Sequence, residues 1–145
     1  MILKKQLLGD ILLERKVITS IELQKALEVQ QTKGGFLGDI LVKLGFVEEL
    51  DIVAALMIQC NLAYIAISQY EVNRKVIDLI PRKMAYDYQV VPLDRVGDIL
   101  SVVMLDPLDA SARAEIRRIT HCEIAPFVTT KIEMVKALEK CYGSC

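Results

Sequence analysis

Apolar residues recur at helical spacing up to residue 59 and then give way to shorter alternating runs. Leu37, Ile40, Leu41 and Leu44 fall at i, i+3, i+4 and i+7, and Leu23, Ala26, Leu27 and Gln30 repeat that spacing. The stretch 7–30 returns at 36–59 without a gap. Leu8/Leu37, Gly9/Gly38, Asp10/Asp39, Ile11/Ile40, Leu12/Leu41, Ala26/Ala55, Leu27/Leu56 and Gln30/Gln59 are identical, eight of 24 aligned positions. Leu13/Val42, Val17/Phe46, Ile18/Val47, Ile21/Leu50, Leu23/Ile52 and Val29/Ile58 stay apolar, and all six are read as burial positions. A duplicated helical hairpin accounts for this pattern. Thr19 or Ser20 caps the second helix of the first copy, with Glu22 in its first turn, and Glu48 and Glu49 do similar dipole work in the second. Gln31 to Gly35 ends one helix and turns the chain. Neither hairpin can bury its stripe alone, so the two are expected to pack as a four-helix lobe.

From Ala63 onward, β-prone runs alternate with helical ones. Residues 71–80 read as a helix stopped by Pro81, and 82–88 as a short helical turn. Residues 89–96 and 99–105 read as a hairpin around Gly97–Asp98, with Pro92 at an edge or bulge. A helix over 106–120 follows, capped by Asp106 or Asp109 with Pro107 near its first turn. Residues 122–128 form a third strand and 129–143 a last helix, opened by a Thr130–Glu133 capping box. The expected class is α+β: a helical lobe over 1–62, then an α/β lobe over 63–145 with three or four strands.

Composition narrows function by exclusion. Eighteen Lys+Arg against 19 Asp+Glu give a net charge of −1, so no global basic field attracts nucleic acid. Charged residues interrupt every apolar run before the roughly 20 residues of a membrane span, and the N-terminus lacks a signal-peptide core, so a cytoplasmic protein without direct membrane insertion is expected. Cys60, Cys122, Cys141 and Cys145 make no CxxC pair and read as ordinary thiols. No phosphate loop, nucleophile elbow or H-E-x-x-H stretch is present, which argues against catalysis in this chain.

A few residues stand out against this background. Glycine inside a helical pattern costs about 1 kcal/mol relative to alanine. Its recurrence as Gly9 and Gly38 therefore implies close approach of another helix or of a ligand. Gln30 and Gln59 read either as edge residues or as hydrogen-bonding groups aimed at a bound molecule. His121 reads as a solvated turn residue, and Asp106 and Asp109 as caps rather than metal ligands. Arg113, Arg117 and Arg118 form a basic stripe, either solvated or facing an acidic protein.

The repeat resembles the tandem 24-residue motif found in the N-terminal domain of type II secretion ATPases (general secretion pathway protein E) and type IV pilus assembly ATPases. The five-residue spacer Gln31–Gly35 has the family's length, and residues 80–93 and 102–120 resemble the α/β lobe that follows. The resemblance implies a domain that is not itself an enzyme. It precedes a hexameric ATPase motor on the same polypeptide and docks that motor to the cytoplasmic domain of an inner-membrane platform protein. The chain would thus sit peripherally at the inner membrane, through a protein partner and without nucleic acid.

Some family members bind cyclic di-GMP through these motifs. By position, the resemblance carries that role to Leu8, Gly9, Leu23, Leu27 and Gln30, and to Leu37, Gly38, Ile52, Leu56 and Gln59. The motif arginine is missing from both copies, where Leu7 and Phe36 stand, and Lys16 replaces the internal glycine that Gly45 keeps. A lost charge-assisted bond costs about 1.5–3 kcal/mol, so two weaken binding by about two to four orders of magnitude. Lys4, Lys5 or Lys33 could compensate only in part, because lysine lacks the planar fork. No cofactor is expected.

Overall fold

The computed structural model describes residues 8–143, so Lys4, Lys5, Leu7 and Cys145 lie outside the described residues. The chain divides into two compact units between Asn61 and Leu62.

Among the described residues the first unit holds four helices, α1 (Leu8–Glu14), α2 (Ser20–Lys33), α3 (Leu37–Lys43) and α4 (Glu49–Gln59). Their main contacts run between copies, α1 against α4 and α2 against α3. Ile11, Leu12, Ala26, Leu41, Ala55 and Leu56 form the centre of its core. Each first helix ends the same way. Lys16 N–H donates to Leu13 O and Val17 N–H to Leu12 O, while Gly45 and Phe46 N–H donate to Val42 O and Leu41 O, all at 3.0 Å. That paired closure requires a left-handed residue, and both Lys16 (φ 61°) and Gly45 (φ 78°) supply it. Thr19 caps α2 in a full capping box with Glu22. In contrast to the sequence expectation, α2 runs on through Lys33 to a cap at Gly34, so part of the spacer is helical.

The second unit is a three-stranded sheet in the order β1 (Val90–Val96), β2 (Ile99–Met104), β3 (Glu123–Val128). β1 and β2 pair antiparallel across Gly97–Asp98, with a register shift between Pro92 and Asp94 at the edge strand. β3 pairs parallel to β2 after the crossover helix α7 (Ala110–Thr120). Residues 63–65 lie beside the end of β3 through a single bridge, Tyr64 to Val128, rather than forming a strand. A 3-10 turn (Ile67–Gln69) and α5 (Arg74–Ile77), α6 (Arg82–Tyr88) and α8 (Lys131–Tyr142) complete the unit.

Three local expectations change here. The helix read over 71–80 shrinks to Arg74–Ile77, because Asn73 accepts the Lys75 N–H at 3.0 Å and caps a late start. Pro107 precedes α7, whose cap is Asp109. Thr130 does cap α8, accepting from Glu133 N–H at 3.3 Å, but the Glu133 carboxylate does not return to it. Instead it accepts from Ser68 N–H at 2.8 Å, tying α8 to the 3-10 turn, and those Ser68 bonds hold its pKa below the usual glutamate value.

Candidate functional site

The two repeated glycines are approached by neighbouring helices. A Cβ on Gly9 would fall 2.9 Å from Leu23 Cδ1 and 3.5 Å from Leu37 Cδ2; one on Gly38 would fall 3.3 Å from Ile52 Cδ1 and 3.5 Å from Leu8 Cδ2. These contacts exchange under the repeat: each glycine meets the branched residue of its own copy's second helix and the leucine that opens the other copy. Absence of a side chain at these positions lets α1 and α3 approach without displacing Leu23 or Ile52.

The motif positions thus fall into distinct environments. Leu8, Leu23, Leu27 and Leu37 are half-buried, while Ile52 and Leu56 lie inside the helical packing, Leu56 only 1% exposed. Gln30 donates its amide to Gly35 O at 3.0 Å, so it fastens the end of α2 to the spacer. Gln59 is exposed at the end of α4. Phe36, at one arginine position, is the half-buried residue before α3.

The basic stripe on α7 is largely neutralised. Arg117 pairs with Glu123 at 3.2 Å, and Arg118 bonds Glu115 within its own helix. Arg113 stands near Asp106, whose pKa is raised by burial and by the Asp109 charge, while Leu108 N–H and Arg113 pull it partly back. Asp109 accepts the Ala112 N–H and caps α7, while Asp106 accepts the Leu108 N–H and holds the turn before it. His121 is an exposed left-handed residue closing α7, as a solvated turn residue should be. Cys122 and Cys141 are buried and Cys60 half-buried, all as free thiols. Burial raises the pKa of Cys60 and Cys141, opposing thiolate chemistry.

One surface escaped the periodicity reading. Ile21 and Leu50, equivalent in the repeat and read as burial positions, are 69% and 70% exposed, and Ile58 is 66% exposed. Each stands on the far side of its helix from the packed stripe. The signal was available in α4, which has apolar residues all round, a pattern that a surface helix with one buried face does not need.

The sequence profile of the MshEN domain matches residues 60–144. The chain belongs to the MshEN domain family. Over 136 residues, 94% of its length, this MshEN domain is 32% identical to the type IV pilus assembly ATPase PilB of Myxococcus xanthus. It is 31% identical to PilB of Thermus thermophilus over 93% of its length. The chain spans 24% and 15% of those relatives. It is also 28% identical, over 94% of its length, to bacteriophage adsorption protein B of Escherichia coli K12, of which it spans 18%. Among solved structures, MshE with cdg (cyclic di-GMP) matches at a TM-score of 0.75 and 28% identity, covering 94% of this chain and 99% of that one. The N-terminal domain of XpsE has the same fold, with a TM-score of 0.73, 22% identity and 94% coverage of both chains. The α+β architecture is therefore that of the N-terminal domains of MshE and XpsE. Among the described residues no helix is long and apolar enough to cross a membrane.

Proposed function

We propose that this MshEN domain is a non-catalytic docking module of a type IV pilus assembly or type II secretion ATPase, coupling the motor to the cytoplasmic domain of an inner-membrane platform protein. The observation that carries the reading is the 32% identity to a pilus assembly ATPase along 94% of the chain. An exposed apolar surface on α4 and pairing of Arg117 and Arg118 within the domain are consistent with recognition by shape and apolar contact rather than by phosphate chemistry. Titrating the full chain with the cytoplasmic domain of the cognate platform protein tests it. Saturable binding is expected below about 50 µM, a range typical of transient docking; no binding there sinks the platform role. ATP turnover by the purified chain would sink the non-catalytic one.

Similarity to MshE with cdg favours a second reading, a cyclic di-GMP receptor. Leu8, Gly9, Leu23, Leu27, Gln30, Leu37, Gly38, Ile52, Leu56 and Gln59 would then line the ligand, with Phe36 and Leu7 where arginines are wanted. The prediction is weak or absent binding by calorimetry, strengthened by about 10- to 100-fold in Phe36→Arg, the worth of one charge-assisted bond. Tight binding by the unaltered chain would make this reading the primary one. No gain in Phe36→Arg would remove it.

A further inference from the structure

Within the helical unit no described residue covers the outer face of α4, and the repeat supplies an internal control for it. Leu50, Ala54, Met57 and Ile58 lie at i, i+4, i+7 and i+8, a stripe about 100° wide on the side away from buried Ile52, Val53, Ala55 and Leu56. The same positions of α2 hold Ile21, Lys25, Glu28 and Val29. Copies that agree in their buried faces thus differ outside, where one is mixed and charged and the other continuously apolar. Contiguous exposed apolar surface marks interaction sites, whereas single exposed residues do not.

Charge identifies the occupant. Within the helical unit, from Leu44 to Asn61 the sequence has no lysine or arginine, while Glu48 and Asp51 stand at the start of α4. An anionic lipid surface or a phosphate ligand would meet these carboxylates; a cationic, apolar partner would be attracted to them. The stripe runs about 12 Å along a helix, from the 1.5 Å rise per residue. Its ridge spacing matches another helix, and α4 offers no open strand edge for β-addition.

We propose that Leu50, Ala54, Met57 and Ile58 seat an amphipathic helix of a protein partner, one with apolar residues at three- and four-residue spacing and flanking lysines or arginines. This rests on the docking reading and assigns its surface and partner chemistry.

The test uses the full chain and a labelled leucine–lysine amphipathic peptide, with its leucine–glutamate counterpart and phosphatidylglycerol vesicles as the other arms. The lysine peptide should bind at least about tenfold more tightly than the glutamate one, reflecting charge complementarity. Leu50→Ser and Ile58→Ser should each weaken it about fivefold or more, while Ile21→Ser leaves it unchanged. Circular dichroism and thermal melting confirm that these exposed substitutions leave the fold intact. Equal binding of both peptides, an equal loss in Ile21→Ser, or capture by vesicles without peptide binding would overturn the proposal. The platform domain separates the two levels. If it binds and Leu50→Ser and Ile58→Ser have no effect, the stripe is wrong and docking stands; if it fails to bind while the peptide still requires α4, the stripe stands and the platform reading falls.

Discussion

The two helical hairpins, residues 8–33 and 37–59, were cut from one pattern, and the ways in which they differ separate what holds the unit together from what it presents. Three of their shared apolar pairs face inward: Ile11, Leu12 and Ala26 in the first copy, Ile40, Leu41 and Ala55 in the second, all buried. Because α1 packs on α4 and α2 on α3, each copy completes the other's core. Interlocking of this kind constrains both inner faces together and leaves the outer faces free to diverge. The mixed, charged outer face of α2 and the apolar one of α4 are that divergence.

The largest test of interlocking is truncation at equivalent core positions. Leu12 and Leu41 are both fully buried, and Leu→Ala at such sites costs about 2–5 kcal/mol through lost transfer energy and the cavity left behind. Leu12→Ala and Leu41→Ala are each expected to lower stability by about 3 kcal/mol in urea denaturation. A mutation in either copy should shift the unfolding of helices from both. A loss below about 1 kcal/mol at one site, or a melt in which one hairpin outlives the other, would show that the copies are energetically separate.

The second test concerns the turns. Both first helices end on a left-handed residue, but only the second copy uses glycine. A non-glycine residue pays about 1–2 kcal/mol in that conformation, of which glycine's greater unfolded-state entropy returns part. Lys16→Gly is therefore expected to stabilise the domain by about 0.5–1 kcal/mol, and Gly45→Ala to destabilise it by a similar amount. Opposite signs at aligned positions, read from denaturation midpoints, are the diagnostic. If Lys16→Gly destabilises, the lysine side chain contributes something that its geometry here does not explain.

Legibility in the sequence followed the range of the interactions. The Gly97–Asp98 hairpin is closed by neighbours a few residues apart, so residue types at fixed offsets were enough to find it; the caps of α2 and α7 were narrowed to Thr19 or Ser20 and to Asp106 or Asp109, and packing selects Thr19, in a box with Glu22, and Asp109. Glu133 was misassigned because its partner, Ser68, lies 65 residues away, and nothing local distinguishes a glutamate that returns to its own cap from one that reaches another element. Periodicity located the apolar positions of both copies but could not tell which of two apolar faces on α4 has a neighbour, and so Leu50 and Ile58 were placed inside. At the candidate site, paired glycines correctly signalled close approach, and the approaching atoms belong to Leu23 and Ile52.

The smallest effect, at Asp51, belongs to the helix starts, where the two copies solve one problem with different residues. The first N–H groups of a helix have no partner within it, and a side chain must supply one. In α2, Glu22 N–H donates to Thr19 Oγ1 at 3.2 Å and Thr19 N–H to Glu22 Oε1 at 2.9 Å, so two orphan donors are satisfied reciprocally. In α4, Glu48 N–H donates to Asp51 Oδ2 at 3.0 Å. Thr19→Ala should cost about 1 kcal/mol, as capping threonines do, and Asp51→Ala about 0.5 kcal/mol, the lower end for one exposed hydrogen bond. Since Asp51 also borders the exposed stripe, its loss should weaken a cationic partner while barely moving the melting temperature. Thr19→Ala should do the reverse, and a domain in which both substitutions act on stability alone would have no acidic contribution to docking at the start of α4.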